Sequence, residues 1–239
     1  MGPSSTRGVA TAAGALFIIA AVTAIVALFL YEPVLNDEGF VLSSSAEATR
    51  VRIGAFLELL LAFAVIGTSI VLYPVIRRQN ETLALGYVCG RLLEATLILV
   101  GAISLLAVVT LNQELVPVAT ADAASLQNDA RLLVAVHDWT FLFGPSFVLG
   151  PNTLMLAFLV YRTCLVPRAI PLLGFVGGSA IFVSAMAVLF GVYDQVSAWG
   201  GLLALPVFGW EMSLAVRLIV RGFDAPAPNQ SAAQAATIA

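Results

Sequence analysis

Charged and reactive side chains are scarce in this 239-residue chain. Charged residues make up 10% of it, and all eleven basic residues are arginines. One histidine, His137, and two cysteines, Cys89 and Cys164, complete the potential metal ligands outside the carboxylates. They show none of the spacings of a zinc or iron site, so we expect no metal and no cofactor. No serine or cysteine stands in a recognisable nucleophile motif, which argues against a hydrolase.

Apolar residues dominate the composition. They make up 60% of the chain, and the mean hydropathy is +1.00. A membrane-spanning helix needs about 20 apolar residues. Six stretches meet that requirement: 8–31, 51–76, 85–111, 139–161, 171–193 and 198–220. We therefore predict an all-α fold, a polytopic membrane bundle of six transmembrane helices. It occupies residues 1–223, and residues 224–239 are expected to be a disordered cytoplasmic tail.

Arginine positions predict the orientation of the bundle. Three arginines, Arg50, Arg52 and Arg131, fall in the odd-numbered connections. Seven fall at the N-terminus, the even-numbered connections and the C-terminal end: Arg7, Arg77, Arg78, Arg162, Arg168, Arg217 and Arg221. Because positive loops stay in the cytoplasm, both termini are expected to be cytoplasmic. Aromatic residues at the span ends are then expected at the outer interface (Tyr31, Trp139, Tyr193, Trp199) and at the inner one (Tyr73, Tyr87, Tyr161).

Four polar side chains share one depth inside the predicted spans. Arg91 and Glu94 are three residues apart, so they lie on one helix face. Asn152 and Glu211 lie at a similar distance from the cytoplasmic ends of their own helices. A charge at this depth costs at least about 2.5–3.5 kcal/mol and is normally paired. The group is either an ion-pair network that fixes helix register or a site that hydrogen-bonds a polar ligand.

A second polar pair is expected nearer the outer face. Glu58 lies early in the second span, and His137 opens the segment His137-Asp138-Trp139 before the fourth. Histidine titrates near neutral pH, so His137 beside Glu58 is a candidate proton-responsive contact. The alternative is an interfacial anchor, with an apolar ring body and a polar tip.

The fourth span is too long to be straight. Apolar character runs from Arg131 to Tyr161, about 46 Å of helix at about 1.5 Å per residue. Gly144-Pro145 and Gly150-Pro151 each interrupt helical hydrogen bonding, so we predict a break between Gly144 and Asn152. The preceding run, Ser125 to Asp138, is expected to form a separate short helix on the outer surface.

The fifth span contains a small-residue face, Gly174-xxx-Gly178 with Gly177 beside it. Small residues let helices approach closely in a membrane. We expect the neighbouring helix to belong to the same chain, although a second copy would fit the same face.

These motifs resemble a known family. The segments are Leu72-Tyr73-Pro74-Val75, Arg77 to Tyr87, Arg91-Leu92-Leu93-Glu94-Ala95, His137-Asp138-Trp139, Tyr161 to Arg168, and Trp210-Glu211 ahead of Arg221-Gly222-Phe223. Together they are similar to the bacterial membrane family catalogued as domain of unknown function 4386, over residues 7–223. The resemblance implies a multi-pass protein of the bacterial cytoplasmic (inner) membrane. It assigns no activity.

Three function classes are compatible with the sequence. The first is a protein that binds or transports a small polar ligand or ion at Arg91, Glu94, Asn152 and Glu211. The second is an assembly or accessory protein that docks a partner membrane protein or a second copy through its helices. The third is an intramembrane enzyme, which would need Glu94 or Glu211 displaced from its arginine and open to substrate. The lipid bilayer is the expected environment, and no nucleic-acid partner is expected.

The orientation can be tested with reporter fusions. A reporter that is active only in the cytoplasm should be active when fused after residue 239 and inactive when inserted in the 113–130 connection, because the arginine bias holds the termini inside. A reporter active only in the periplasm should give the reciprocal pattern. A periplasmic C-terminus would show that the orientation is wrong.

Overall fold

The computed structural model describes residues 3–35, 45–115 and 123–224, and almost all of them are helical. The helices are α1 (Pro3–Leu30), α2 (Glu32–Leu35), α3 (Ser45–Ile76), α4 (Glu81–Leu115), α5 (Ala123–Leu142), a π-helical segment (Phe143–Val148), α6 (Leu149–Thr163), α7 (Ala169–Leu189) and α8 (Ala198–Arg221). The predicted tail, residues 224–239, lies outside the described residues except for Asp224, whose N–H donates to the Leu165 carbonyl. Parts of two connections also lie outside the described residues.

Six helical stretches are long and apolar enough to cross a bilayer, which confirms the six-helix prediction. Five of them are α1, α3, α4, α7 and α8, and the other runs from Gln127 to Thr163 through α5, the π segment and α6. Their outward surfaces are apolar. Phe29, Phe63 and Val183, for example, are 67%, 63% and 62% exposed. Side chains of this kind are stable in contact with hydrocarbon, so the protein is an integral, multi-pass membrane protein.

The six spans form a closed ring. Each span packs against the next in sequence, and the last span, α8, packs against the first, α1. Arg7 joins the two ends of the chain because it donates hydrogen bonds to the carbonyl oxygens of Ile219 and Val220, at 3.1 and 2.9 Å. We call the end of the bundle that carries Arg7 and Arg221 the terminal face, and the opposite end the loop face.

The half of the ring near the terminal face has a filled core. Fully buried side chains from α1, α4, α6 and α8 meet there, including Phe17, Tyr87, Leu156 and Trp210. Large apolar and aromatic side chains bury the most surface, so this half holds the ring together. The loop-face half has a smaller core of α1–α5 residues, around Val51, Leu105 and Ala130.

The fourth span changes its hydrogen bonding at the first of the two predicted Gly-Pro steps, where Phe143–Val148 form the π-helical segment. There the N–H of Leu149 bonds to the Gly144 carbonyl, a π-type bond five residues apart. Pro145 cannot donate a backbone hydrogen bond, which favours such a local rearrangement. No break occurs at the second step, because α6 continues through Gly150-Pro151. The expected separate helix over Ser125–Asp138 is wrong, because α5 continues without a turn to Leu142. Its packing against α4 holds the two segments in line.

The small-residue face of α7 packs within the chain, as expected. A Cβ on Gly174 would lie 2.8 Å from the Trp210 ring of α8, and one on Gly178 would lie 2.9 Å from the Gly150 carbonyl oxygen of α6. Gly177 of α7 makes a close contact with the backbone of α8. A Cβ on Gly177 would lie 2.6 Å from both the N and the Cα atom of Val207. These glycines therefore set how closely α7 approaches both of its neighbours.

Two of the predicted interface aromatics turn into the bundle. Trp139 and Trp199 are exposed, whereas Tyr31 and Tyr87 are 1% and 0% exposed. The rings of these two tyrosines therefore contact protein instead of lipid. Each has a polar partner inside the bundle, which makes burial of its hydroxyl group favourable.

The α7–α8 contact can be tested at Gly177. Gly177→Ala should lower the melting temperature of the detergent-purified protein, because the added methyl group meets rigid backbone and overpacking costs about 1–3 kcal/mol. Gly201→Ala on α8 is the matched control, since no atom lies within 4 Å of its Cβ position. The control should be neutral or slightly stabilised. Equal melting temperatures for both variants would contradict this packing.

Candidate functional site

Arg91 connects two helices that are not neighbours in the ring. Its Nη1 donates to both carboxylate oxygens of Glu94 on the same helix, at 3.2 and 3.1 Å. Its Nη2 donates to Glu211 Oε1 on α8 at 3.2 Å, and its Nε donates to the Tyr87 hydroxyl at 3.3 Å. All three guanidinium nitrogens therefore have partners, and the arginine bridges α4 and α8 through the centre of the bundle.

The burial of this network differs from one partner to another. The side chains of Arg91 and Glu94 are 4% and 5% exposed, whereas that of Glu211 is 17% exposed. The guanidinium carbon also lies 5.9 Å from the centre of the Phe17 ring and 5.5 Å from that of Tyr87. Aromatic faces attract cations, so the charge is stabilised by two carboxylates and two rings.

Asn152 lies at the same level, as predicted. It is 0% exposed, its side chain interacts with Glu94, and it occupies the space above Gly90 of α4. A Cβ on Gly90 would lie 2.1 Å from Asn152 Oδ1, so only glycine fits at that position. Neither amide atom of Asn152 makes a direct hydrogen bond of 3.5 Å or less within the described part of the chain. An unsatisfied buried amide is unfavourable and marks a place where a ligand or water would bind.

The second polar pair is also buried. Glu58 accepts a 3.0 Å hydrogen bond from the Tyr31 hydroxyl, and the ring of Tyr31 meets that of His137 edge to face at 5.7 Å. His137 is 3% exposed and close enough to Glu58 for a charged imidazole to attract the carboxylate. Burial of this extent does not fit an interfacial anchor. Asp138 lies 3.3 Å from His137 Nδ1, at the exposed side of the pair.

Glycines position two of these side chains. The Tyr31 ring covers Gly54 of α3, where a Cβ would lie 2.6 Å from the ring. Asn152 covers Gly90 of α4 in the same way. A side chain at either position would push the polar group aside. At Gly101 of α4, a Cβ would lie 2.8 Å from Thr140 Oγ1 and in ordinary contact with His137, 3.4 Å from its Cδ2.

One cavity connects the two polar groups. It has a volume of about 130 Å³, enough for several water molecules, and five of the six predicted site residues line it: Arg91, Glu94, Glu211, Glu58 and His137. Asn152 interacts with Glu94 but does not itself line the cavity. Phe17 of α1 and Tyr31, which directly follows α1, both line the cavity and are 14 residues apart, so it extends about 21 Å along the direction of that helix. Pro145, in the π segment, forms part of the wall.

Residues 12–222 match the family described as domain of unknown function (DUF4386). The chain belongs to the DUF4386 family. No curated protein matches it, and no solved structure matches it. The family membership covers all six spans and every residue of the cavity, but it carries no assigned activity.

The sequence did not identify several parts of this DUF4386 site. The sequence predicts Tyr31 and Tyr87 at the membrane interfaces, but Tyr31 lines the cavity and Tyr87 bonds to Arg91. Three further lining residues, Phe17, Thr68 and Phe141, carry no signal of their own in the sequence. A usable signal was the set of isolated glycines in α3 and α4, because a glycine inside a helix marks a close approach. Within the described residues, no cluster of three or more His, Cys, Asp or Glu side chains could hold a metal ion.

Replacement of Arg91 tests the ion-pair network. Arg91→Ala should lower the stability of the purified protein strongly, by about 3–5 kcal/mol, because two carboxylates would then be buried without a counter-charge. Adding Glu94→Gln to Arg91→Ala should recover part of the loss, measured as the melting temperature in detergent. Glu81→Gln, on the exposed first turn of α4, is the control substitution and should recover nothing in the same background. No loss of stability in Arg91→Ala would contradict the proposed role of Arg91.

Proposed function

We propose that this DUF4386 protein binds a small polar ligand or ion in the central cavity of the bundle. The cavity that joins Arg91, Glu94 and Glu211 to Glu58 and His137 is the observation that carries the proposal. A network that only fixed helix register would gain from complete packing, since voids in a core are destabilising. Here the charged groups surround open space instead.

Asn152 supports the proposal through Glu94. Its amide is fully buried beside Glu94, although neither amide atom makes a direct hydrogen bond of 3.5 Å or less within the described part of the chain. Because Asn152 does not line the cavity, it would affect a ligand by orienting Glu94. Interrupted helices bring polar groups to membrane depth in many transporters, and the π segment ends only four residues before Asn152.

The two other function classes have less support. The small-residue face that suggested docking packs against α6 and α8 of the same chain, so it is not available to a partner. An enzyme would need a carboxylate free of its arginine, whereas Glu94 and Glu211 both contact Arg91. Our proposal therefore places ligand binding ahead of assembly and catalysis, in a bacterial cytoplasmic membrane with both termini inside.

Access to the cavity can be measured by cysteine labelling. In a chain with Cys89→Ser and Cys164→Ser, Ala20→Cys places a thiol on the cavity wall. Ala13→Cys is the matched control, because Ala13 lies two turns earlier on the same helix within the filled core. In lipid nanodiscs, uncharged methyl methanethiosulfonate should modify Ala20→Cys much faster than Ala13→Cys, because only the former faces open space.

Both variants must first elute as folded monodisperse protein. If Ala20→Cys then reacts as slowly as Ala13→Cys, the cavity is closed to small molecules and the binding proposal fails.

A further inference from the structure

Acidic side chains outnumber basic ones around the central cavity, among the described residues. Three carboxyl groups line it, Glu58, Glu94 and Glu211, against one guanidinium, that of Arg91. With all three carboxyl groups ionised, the difference is two negative charges with His137 neutral and one with His137 charged. Arg91 contacts Glu94 and Glu211, whereas Glu58 has only the Tyr31 hydroxyl within hydrogen-bond distance among the described residues. Excess charge inside a bilayer is unfavourable, so a positive group in the cavity would lower the energy.

A second, acidic cavity adjoins it at the loop face. This outer cavity, of about 370 Å³, lies between α1, α5 and the connection from α7 to α8. Leu28, His137 and Phe141 line both cavities, so they form the boundary between the two. Among the described residues, Asp138 and Asp194 line the outer cavity and no arginine does. Charges of one sign around an entrance concentrate ligands of the opposite sign.

The remaining walls of the central cavity are apolar and aromatic. Leu61, Val65 and Ile98 contribute aliphatic surface, and Phe17 and Phe141 contribute rings. A bare metal ion would find no cluster of three or more His, Cys, Asp or Glu ligands within the described residues. An organic amine with a hydrocarbon body fits this cavity better. Its ammonium group pairs with carboxylates and aromatic faces, and its hydrocarbon part contacts the apolar walls.

We propose that the ligand of the central cavity is a small organic cation, a protonated amine on an apolar body, which enters from the loop face past Leu28 and Phe141. This inference rests on the proposed function and names the ligand class. Glu58 is the principal partner of the amine, since among the described residues no arginine pairs with it. Glu211 is the second, since only one of its oxygens bonds to Arg91 and its side chain is more accessible than that of Glu94.

Protection from labelling tests the ligand class. The Ala20→Cys protein in nanodiscs is modified by methyl methanethiosulfonate at pH 7 in the presence of benzylammonium, benzyl alcohol or benzoate, three probes of similar shape and different charge. Saturating benzylammonium should slow modification by about tenfold or more, and the other two by less than about twofold, because only the cation occupies the site.

Two carboxylate variants locate the bound cation. Glu58→Gln and Glu211→Gln, each in the Ala20→Cys background, should need several times more benzylammonium for the same protection, while Glu81→Gln should need the same amount. Two variants are used so that a folding defect in one leaves the other informative. Unchanged protection in both folded variants would overturn the assignment.

The failure of this inference differs from the failure of the proposed function. If Ala20→Cys is labelled but benzoate or benzyl alcohol protects as well as benzylammonium, or if no probe protects, the cation assignment is wrong and the open cavity stands. If Ala20→Cys is not labelled faster than Ala13→Cys, the cavity itself is inaccessible and both proposals fall.

Discussion

The bridge from Arg91 to Glu211 is the interaction on which the interior of the bundle depends. It joins α4 to α8 across the ring, between residues 120 positions apart in sequence. A guanidinium group and two carboxylates at this depth are stable only when paired, so the three side chains must meet. Their meeting point holds polar groups at the centre of the ring and leaves the open space around which the other cavity residues are arranged.

Close helix packing makes that arrangement possible. Gly174, Gly177 and Gly178 bring α7 against α6 and α8, while Gly54 and Gly90 receive the side chains of Tyr31 and Asn152. Between helices in a membrane, stability comes from close van der Waals contact, because lipid tails are as apolar as the side chains. The same small residues thus tighten the outer ring and position the polar side chains within it.

The two polar groups belong to one site. Glu58 and His137 lie nearer the loop face than Arg91 and Glu94, yet a single cavity connects all four. The break in the fourth span contributes directly, since Pro145 of the π segment lines the same space. π-helical turns are frequent at functional sites because they change the direction of side chains without ending the helix.

The sequence alone predicts the six spans, an irregularity beginning at Gly144-Pro145 and the pairing of Arg91 with nearby carboxylates. Each follows from a local rule: the length of an apolar run, the missing donor of a proline, or the cost of an unpaired charge in hydrocarbon. Only the tertiary structure decided that Tyr31 and Tyr87 turn inward, that α5 continues into the fourth span, and that one cavity joins Glu58 to Arg91. Those features depend on which helices are neighbours and how each is rotated, and contacts between residues far apart in sequence set both.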